Sequence, residues 1–216
     1  MKRIKNFFKE VSNKEFLIPI LILMVGQSVT FYLFKLFLTN YHTVPIPLDG
    51  KIPFIPEFIY IYDLFYPFVF VGLYYVFLKD KKAYRNGVFS GIIAYLIADI
   101  IFIVYPTIMI RPDLTDVSMD FLTRLFMTVT YCGDNPASNC LPSIHCVFCF
   151  QVIWSILSCK DISCGKKVWI TILALLISFS TLFVKQHYIY DVILAAIMVI
   201  IINIIVNNLY RLRRHN

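Results

Sequence analysis

Four histidines occur in the 216 residues, and two of them stand beside groups that suit catalysis. His187 is followed four positions later by Asp191. On a helix those positions share a face, so the carboxylate can accept a hydrogen bond from one imidazole nitrogen. That bond fixes the tautomer and leaves the other nitrogen free as a base or nucleophile. His145 closes the run Asn139-Cys140-Leu141-Pro142-Ser143-Ile144-His145, which reads as a helix entry. Pro142 suits the first turn. Ser143 and the free backbone N–H groups there can bind an anion at the positive end of the helix dipole. Arg111 and Lys185 add two cations. Arg suits bidentate phosphate binding, and two imidazoles with a carboxylate suit covalent phosphoryl transfer. Taken singly, each such residue at a membrane interface is more often a snorkelling or structural group. The weight lies in the constellation.

The elements that must position these groups are membrane helices. Hydrophobic residues make up 59% and charged residues 15% of the chain, against roughly 45–50% and about 25% in soluble domains. So much apolar surface excludes disorder, and the length and low cysteine fraction exclude a disulfide-stapled miniprotein. A spanning helix needs about 20 mostly apolar residues. Six segments qualify, at 16–38, 59–78, 87–108, 141–157, 168–184 and 188–209. Continuous rather than alternating apolar runs argue against a β-barrel. The expected fold is all-α: a polytopic membrane protein of six transmembrane helices, forming one membrane-embedded domain over 1–216. The basic start at Met1-Lys2-Arg3-Ile4-Lys5 precedes an apolar stretch too long for a cleaved signal core, so the first span is expected to be retained.

Basic residues set the orientation. All of the 20 Lys and Arg except Lys35, Lys51, Arg111, Arg124 and Lys185 fall in the N-terminal arm, the second and fourth loops, or the tail. Both termini are therefore expected in the cytoplasm, and the net charge of +7 reads as an insertion signal rather than a nucleic-acid surface. Span ends then bring His145, His187 with Asp191, Arg111 and Lys185 to the extracytoplasmic face. Two outer loops are long. The first, 39–58, holds Pro45, Pro47, Pro53 and Pro56 and should be extended. The second holds 119–129, where Phe121, Leu122, Leu125, Phe126 and Val129 at helical spacing predict a short interfacial helix between spans three and four.

Other polar residues have simpler expected roles. Asp99, deep in span three, reads as an interhelical contact. Asp63 could pair with Lys35 or meet a head group. Cys146 and Cys149 read as buried thiols, and Cys132 and Cys140 could form a disulfide in one outer loop.

The segments Pro142-Ser143-Ile144-His145 and His187-Tyr188-Ile189-Tyr190-Asp191 resemble the second and third signature motifs of the type 2 phosphatidic acid phosphatase superfamily. Arg111-Pro112, preceded by Tyr105-Pro106-Thr107, resembles its first motif. The order, the spacing and the six-span layout agree, so the resemblance covers most of the chain. Two positions depart. Val104 stands where the first motif usually has Lys, and Thr181 follows Ser180 where the third usually has Arg. The pattern resembles the branch of inositol phosphorylceramide and sphingomyelin synthase relatives, which transfer head groups.

The resemblance implies a lipid phosphatase with no metal and no cofactor. His187 would attack phosphorus, Asp191 would brace it, and His145 would protonate the leaving oxygen. Arg111, Lys185 and Ser143 would hold the phosphate oxygens. The expected partners are the bilayer and a membrane lipid phosphate. The alternatives are a head-group phosphotransferase of the same superfamily and a non-catalytic transporter or scaffold.

Overall fold

The structure is a computed structural model that describes residues 12–215. Lys2, Arg3, Lys5 and Lys9 of the basic arm, and the side chains of Arg211, Arg213 and Arg214, lie outside the described part. The helices are α1 (Lys14–Lys35), α2 (Pro56–Lys79), α3 (Lys81–Val104), α4 (Phe121–Gly133), α5 (Ile144–Ser158), α6 (Cys164–Phe183) and α7 (Ile189–His215). Five of them, counting α7 as Ile189–Tyr210, are long and apolar enough to cross a membrane. Among the described residues no strand forms, and only two isolated β-bridges occur.

Local chemistry sets the boundaries. In α1, Pro19 cannot donate to the preceding turn, and three residues later the helix opens into a π turn at Ile22–Gly26. In α2, Pro67 leaves the Asp63 carbonyl without its helical donor, and the helix is interrupted just there, between Ile59–Tyr62 and Phe65–Lys79. Helix α3 starts more than a turn earlier than the predicted 87. The Asp80 carboxylate accepts from the Lys82 and Ala83 N–H groups, at 2.9 Å each, and caps it. Helix α5 begins later than the predicted 141. Ser143 is its N-cap, with Oγ accepting from the Cys146 N–H at 3.3 Å, so Pro142 precedes the cap and does not occupy the first turn.

With 15 residues, α5 is about 22 Å long, against roughly 30 Å of hydrocarbon. It is the central helix, packed on α2, α3, α6 and α7. Two glycines on its neighbours permit that approach. A Cβ at Gly72 would lie 2.8 Å from Val152 Cγ1, and one at Gly87 would lie 2.1 Å from Ser155 Oγ. One turn deeper, Gln151 and Asn203 exchange amide hydrogen bonds of 3.1 and 2.8 Å, joining α5 to α7. No residue pattern in the sequence announced that pair. The outside of the bundle is apolar: Ile193, Ile197, Ile200, Ile201 and Ile204 of α7 are each about half exposed. Apolar surface outside and amides inside are what a lipid solvent selects.

One end of the bundle carries Lys81, paired with Glu15 at 3.0 Å. The loops fold over the other end. The segment 39–55 is largely extended, as its prolines require, with a 3₁₀ turn at Asp49–Lys51. It clips onto the chain leaving α3 through His42 N–H to Pro106 O and Ile108 N–H to His42 O, both 2.9 Å. Helix α4 starts two residues after the predicted 119, capped by Asp120. Phe121, Leu122, Leu125, Phe126 and Val129 face outward, while Thr123 and Met127 are buried. Cys132 and Cys140 are both free thiols, one exposed and one buried, so the disulfide does not form.

Candidate active site

The tight link between α6 and α7 presents His187. The N–H groups of Gln186 and His187 both donate to the Thr181 carbonyl, at 2.9 and 3.3 Å, and Lys185 turns the chain with a left-handed φ of 52°. His187 sits before α7, not on it. Its Nδ1 lies 3.1 Å from Asp191 Oδ2, and the same oxygen accepts from the Tyr188 N–H at 2.8 Å. The pairing expected from helix-face spacing is thus made by a carboxylate in the first turn reaching back over the helix start. Asp191 is fully buried, and its Oδ1 has no partner. The Nδ1 contact leaves Nε2 as the free nitrogen.

His145 comes from the first turn of α5. A backbone bond from the Ser143 N–H to the Asp191 carbonyl, 3.1 Å, ties the starts of α5 and α7 together. The two imidazole centroids lie 5.8 Å apart. His145 is seated against Phe65 and Tyr62, with ring centroids at 4.4 and 4.7 Å. Both histidines line one cavity of about 290 Å³ between α1, α2, α4 and the two helix starts.

The other sequence candidates are placed differently. Arg111 is nearly buried. Its Nη1 donates to the Asp134 carbonyl at 2.8 Å, and its Nη2 donates to both Asp134 Oδ2 and Gln186 Oε1. Its guanidinium also stacks over Tyr131, at 4.6 Å to the ring centroid. Lys185 does not line the two-histidine cavity. Its Nζ donates to the Ile52 carbonyl at 2.6 Å, and it lines a second cavity, which His187 also borders. Ser143 is fully buried and lines neither cavity, its hydroxyl being spent on the helix cap. At the two departing positions, Val104 is 77% exposed on the outside, whereas Thr181 is fully buried and donates to the Ser178 carbonyl at 2.7 Å.

Several functional-looking residues went unmarked by the sequence motifs. Asp134 bridges Arg111 and Lys35, with Lys35 Nζ 2.5 Å from Oδ1. Lys35 therefore pairs with Asp134 and not with Asp63, whose Oδ1 instead accepts from Thr130 at 3.5 Å. Asp49 accepts from the Ile189 N–H at 2.9 Å, placing a carboxylate at the start of α7. Thr107 Oγ1 accepts from the N–H groups of Cys140 and Leu141, at 3.2 and 2.9 Å, and holds the segment entering α5. None of these has a spacing signature: Asp134, Asp49 and Thr107 come from the segments between helices, and Lys35 from the end of α1.

Burial governs the electrostatics around the site. It pushes the Cys140 thiol well above its usual range, with the Asp191 and Asp134 charges adding to the effect. It raises the Tyr131 phenol to about 12, against the opposing pull of Arg111. It lowers Lys185, which the Asp49 charge partly offsets. Among the described residues, one group could hold a metal ion: Cys140, His187 and Asp191 offer ligand atoms within 4.8 Å of one another.

One imidazole bound to a buried carboxylate and a second imidazole thus share a cavity on an apolar helical scaffold, and Arg111, which lines neither cavity, is bound to Asp134 and Gln186 of its wall. The chain belongs to the PAP2 superfamily, whose family model matches residues 50–205. Comparison with curated proteins and with solved structures finds no significant match. Membership in a superfamily of phosphatases and phosphotransferases, carried on apolar helices, indicates a membrane protein with that type of function.

Proposed function

We propose that the protein is an integral-membrane lipid phosphatase that releases phosphate from a lipid phosphate or diphosphate. In this reading His187 Nε2 attacks phosphorus while the bond to the leaving oxygen breaks, and His145 gives that oxygen its proton. Water then attacks the phosphohistidine and loses its proton to His145, releasing inorganic phosphate and restoring His187. Asp191 holds the Nδ1 proton and offsets the positive charge on the ring. Arg111 takes phosphate oxygens as charge moves onto them, a contact worth roughly 3–4 kcal/mol in such sites. Lys185 attracts the anion from the adjoining cavity, and Ser143 contributes through the helix start that it caps. No metal enters the cycle.

The observation that carries this reading is the pair of imidazoles 5.8 Å apart on one cavity, one of them bound through Nδ1 to a buried carboxylate. A second reading, transfer to an acceptor alcohol, is favoured by the far wall of that cavity. Ser28, Tyr32, Asp63 and Thr130 stand there, beside Phe31, Tyr66 and Val129, and give hydroxyl groups polar partners. That reading accords with the resemblance to the head-group transferase branch.

We place the site at the extracytoplasmic face of the cell membrane. Here α5 acts as a sixth span completed by its flanking residues, both termini are cytoplasmic, and α4 lies in the interface with its outward apolar face in lipid. The end that carries Lys81 and Glu15 is then the cytoplasmic one.

The test uses purified protein in micelles with lipid phosphates, with and without a soluble alcohol. His187→Ala should abolish phosphate release. Retention of most of the activity would remove His187 as nucleophile, and diversion of product into a phosphorylated alcohol would decide for transfer.

A further inference from the structure

We infer that Lys35, from the end of α1, is a second phosphate-binding cation of this site, and that the Asp134 carboxylate occupies the phosphate position until the substrate's phosphoryl group displaces it. The inference rests on the phosphoryl-transfer reading and extends it to residues outside every motif.

Asp134 spreads its two carboxylate oxygens over two cations, Oδ1 on Lys35 and Oδ2 on Arg111. Two oxygens of one phosphoryl group make the same bridge, with more charge and further acceptor positions. The cations are the sheltered partners: the Lys35 and Arg111 side chains are 8% and 10% exposed, that of Asp134 22%. Two positive groups face one negative group there, which leaves a net positive charge where desolvation strengthens attraction for an anion. Asp134 lines the same cavity as His145 and His187. Lys35 and Arg111 do not line it themselves, so departure of the carboxylate is what would open them to the space between the imidazoles.

An independent observation points to a missing acceptor. Gln186 is 2% exposed and lines that cavity; its Oε1 accepts from Arg111, which fixes the amide orientation. Its Nε2 then has no partner. A buried amide donor without an acceptor is costly unless something arrives to use it. The Arg111 Nε is likewise unpartnered. A phosphate seated on Lys35 and Arg111 supplies oxygens that carboxylate cannot, with Gln186, one residue before the nucleophile, as a third donor.

The exchange breaks no covalent bond. The phosphoryl oxygens take over the Lys35 and Arg111 contacts, and Asp134, at the C-terminal end of α4, turns toward the solvent side of the cavity. Removing its charge should therefore improve anion binding, whereas a purely structural ion pair would be weakened by the same change.

The test is calorimetric titration of the detergent-purified full chain with inorganic phosphate, alongside turnover of dioctanoyl phosphatidate. Asp134→Asn should tighten phosphate binding about tenfold, and Lys35→Gln should weaken it about tenfold, in keeping with loss of one competing or one attracting charge. Lys35→Arg should stay near the wild type. Lys35→Gln should also raise the KM for the ester, which separates a substrate subsite from one serving free phosphate alone. Asp134→Asn binding phosphate no better than the wild type overturns the inference, as does Lys35→Gln with an unchanged KM. Should Asp134→Asn fail to fold, equal phosphate affinity in Lys35→Gln and Lys35→Arg overturns it instead. Absence of turnover in the wild type, with the titrations as expected, strikes the phosphatase reading and not the anion subsite.

Discussion

In the proposed mechanism the His187–Asp191 contact should supply a measurable share of the rate, and Asp191→Asn isolates it. The substitution keeps size and one carbonyl oxygen but removes the charge. In the native site Oδ2 lies 3.1 Å from His187 Nδ1, which puts the ring and carboxylate charges about 4 Å apart when the ring carries positive charge. At an effective dielectric of about 20 that attraction is worth about 4 kcal/mol, or close to three decades in rate at about 1.4 kcal/mol per decade. We therefore expect kcat to fall about 10²- to 10³-fold. KM should move little, because Asp191 acts through His187 and does not line the two-histidine cavity. The Asn carbonyl can still accept from the Tyr188 N–H, so the start of α7 should lose at most about 1 kcal/mol. Initial-rate kinetics of phosphate release, with a thermal melt as the folding control, decide the matter. A kcat within threefold of the wild type, or a loss confined to KM, refutes the assignment of Asp191 as the brace.

Three further expectations follow from the packing, the thiols and the metal-free cycle. Cys132 and Cys164 are the exposed thiols, and the other four are buried; in intact cells an impermeant maleimide should label wild type and Cys164→Ser equally and Cys132→Ser hardly at all, and the reverse pattern would invert the proposed topology. Gly72→Ala should lower stability by about 1–3 kcal/mol, because its Cβ meets the stiff Val152 side chain at 2.8 Å; an unchanged melting temperature in detergent would mean that α2 and α5 are not held as close as described. Treatment with EDTA should leave turnover unchanged, whereas loss of activity restored by a divalent ion would make Cys140, His187 and Asp191 a metal centre and remove His187 from the nucleophile role.

What the sequence disclosed follows from what periodicity and spacing can encode. Long apolar runs specify spanning helices because lipid leaves backbone groups no partners but each other, so those of α1, α2, α3, α6 and α7 were legible to within a few residues except at the start of α3. The misplaced boundaries sit where one polar side chain outweighs hydropathy. Asp80 extends α3 through a basic cluster that looked like loop, and Ser143 delays α5 past a proline that looked like a first turn. The His187–Asp191 bond was legible as a spacing of four, although the backbone that makes it is a turn and a cap rather than a continuous helix.

The cations show the opposite case. Arg111 and Lys185 were found as charges near the outer ends of spans, yet charge counting along a chain cannot say which carboxylate each will meet. Lys185 is drawn to the Ile52 carbonyl in the loop between α1 and α2, and Arg111 to Asp134 after α4, partners separated from them by 133 and 23 residues. Lys35 pairs across 99 residues. These contacts are set by how the two long loops, 39–55 and 105–120, close over the helix ends, and such loops carry no period. The same physics explains why the site assembles there. At membrane depth an ionised side chain must be paired or face water, so Lys35, Arg111 and Asp134 come together at the end of the bundle where long loops can pair them. In the proposed reading a phosphoryl group carried on a lipid tail would reach the bundle at that level, and the residue best placed to compete with it is the carboxylate that already holds Lys35 and Arg111 together.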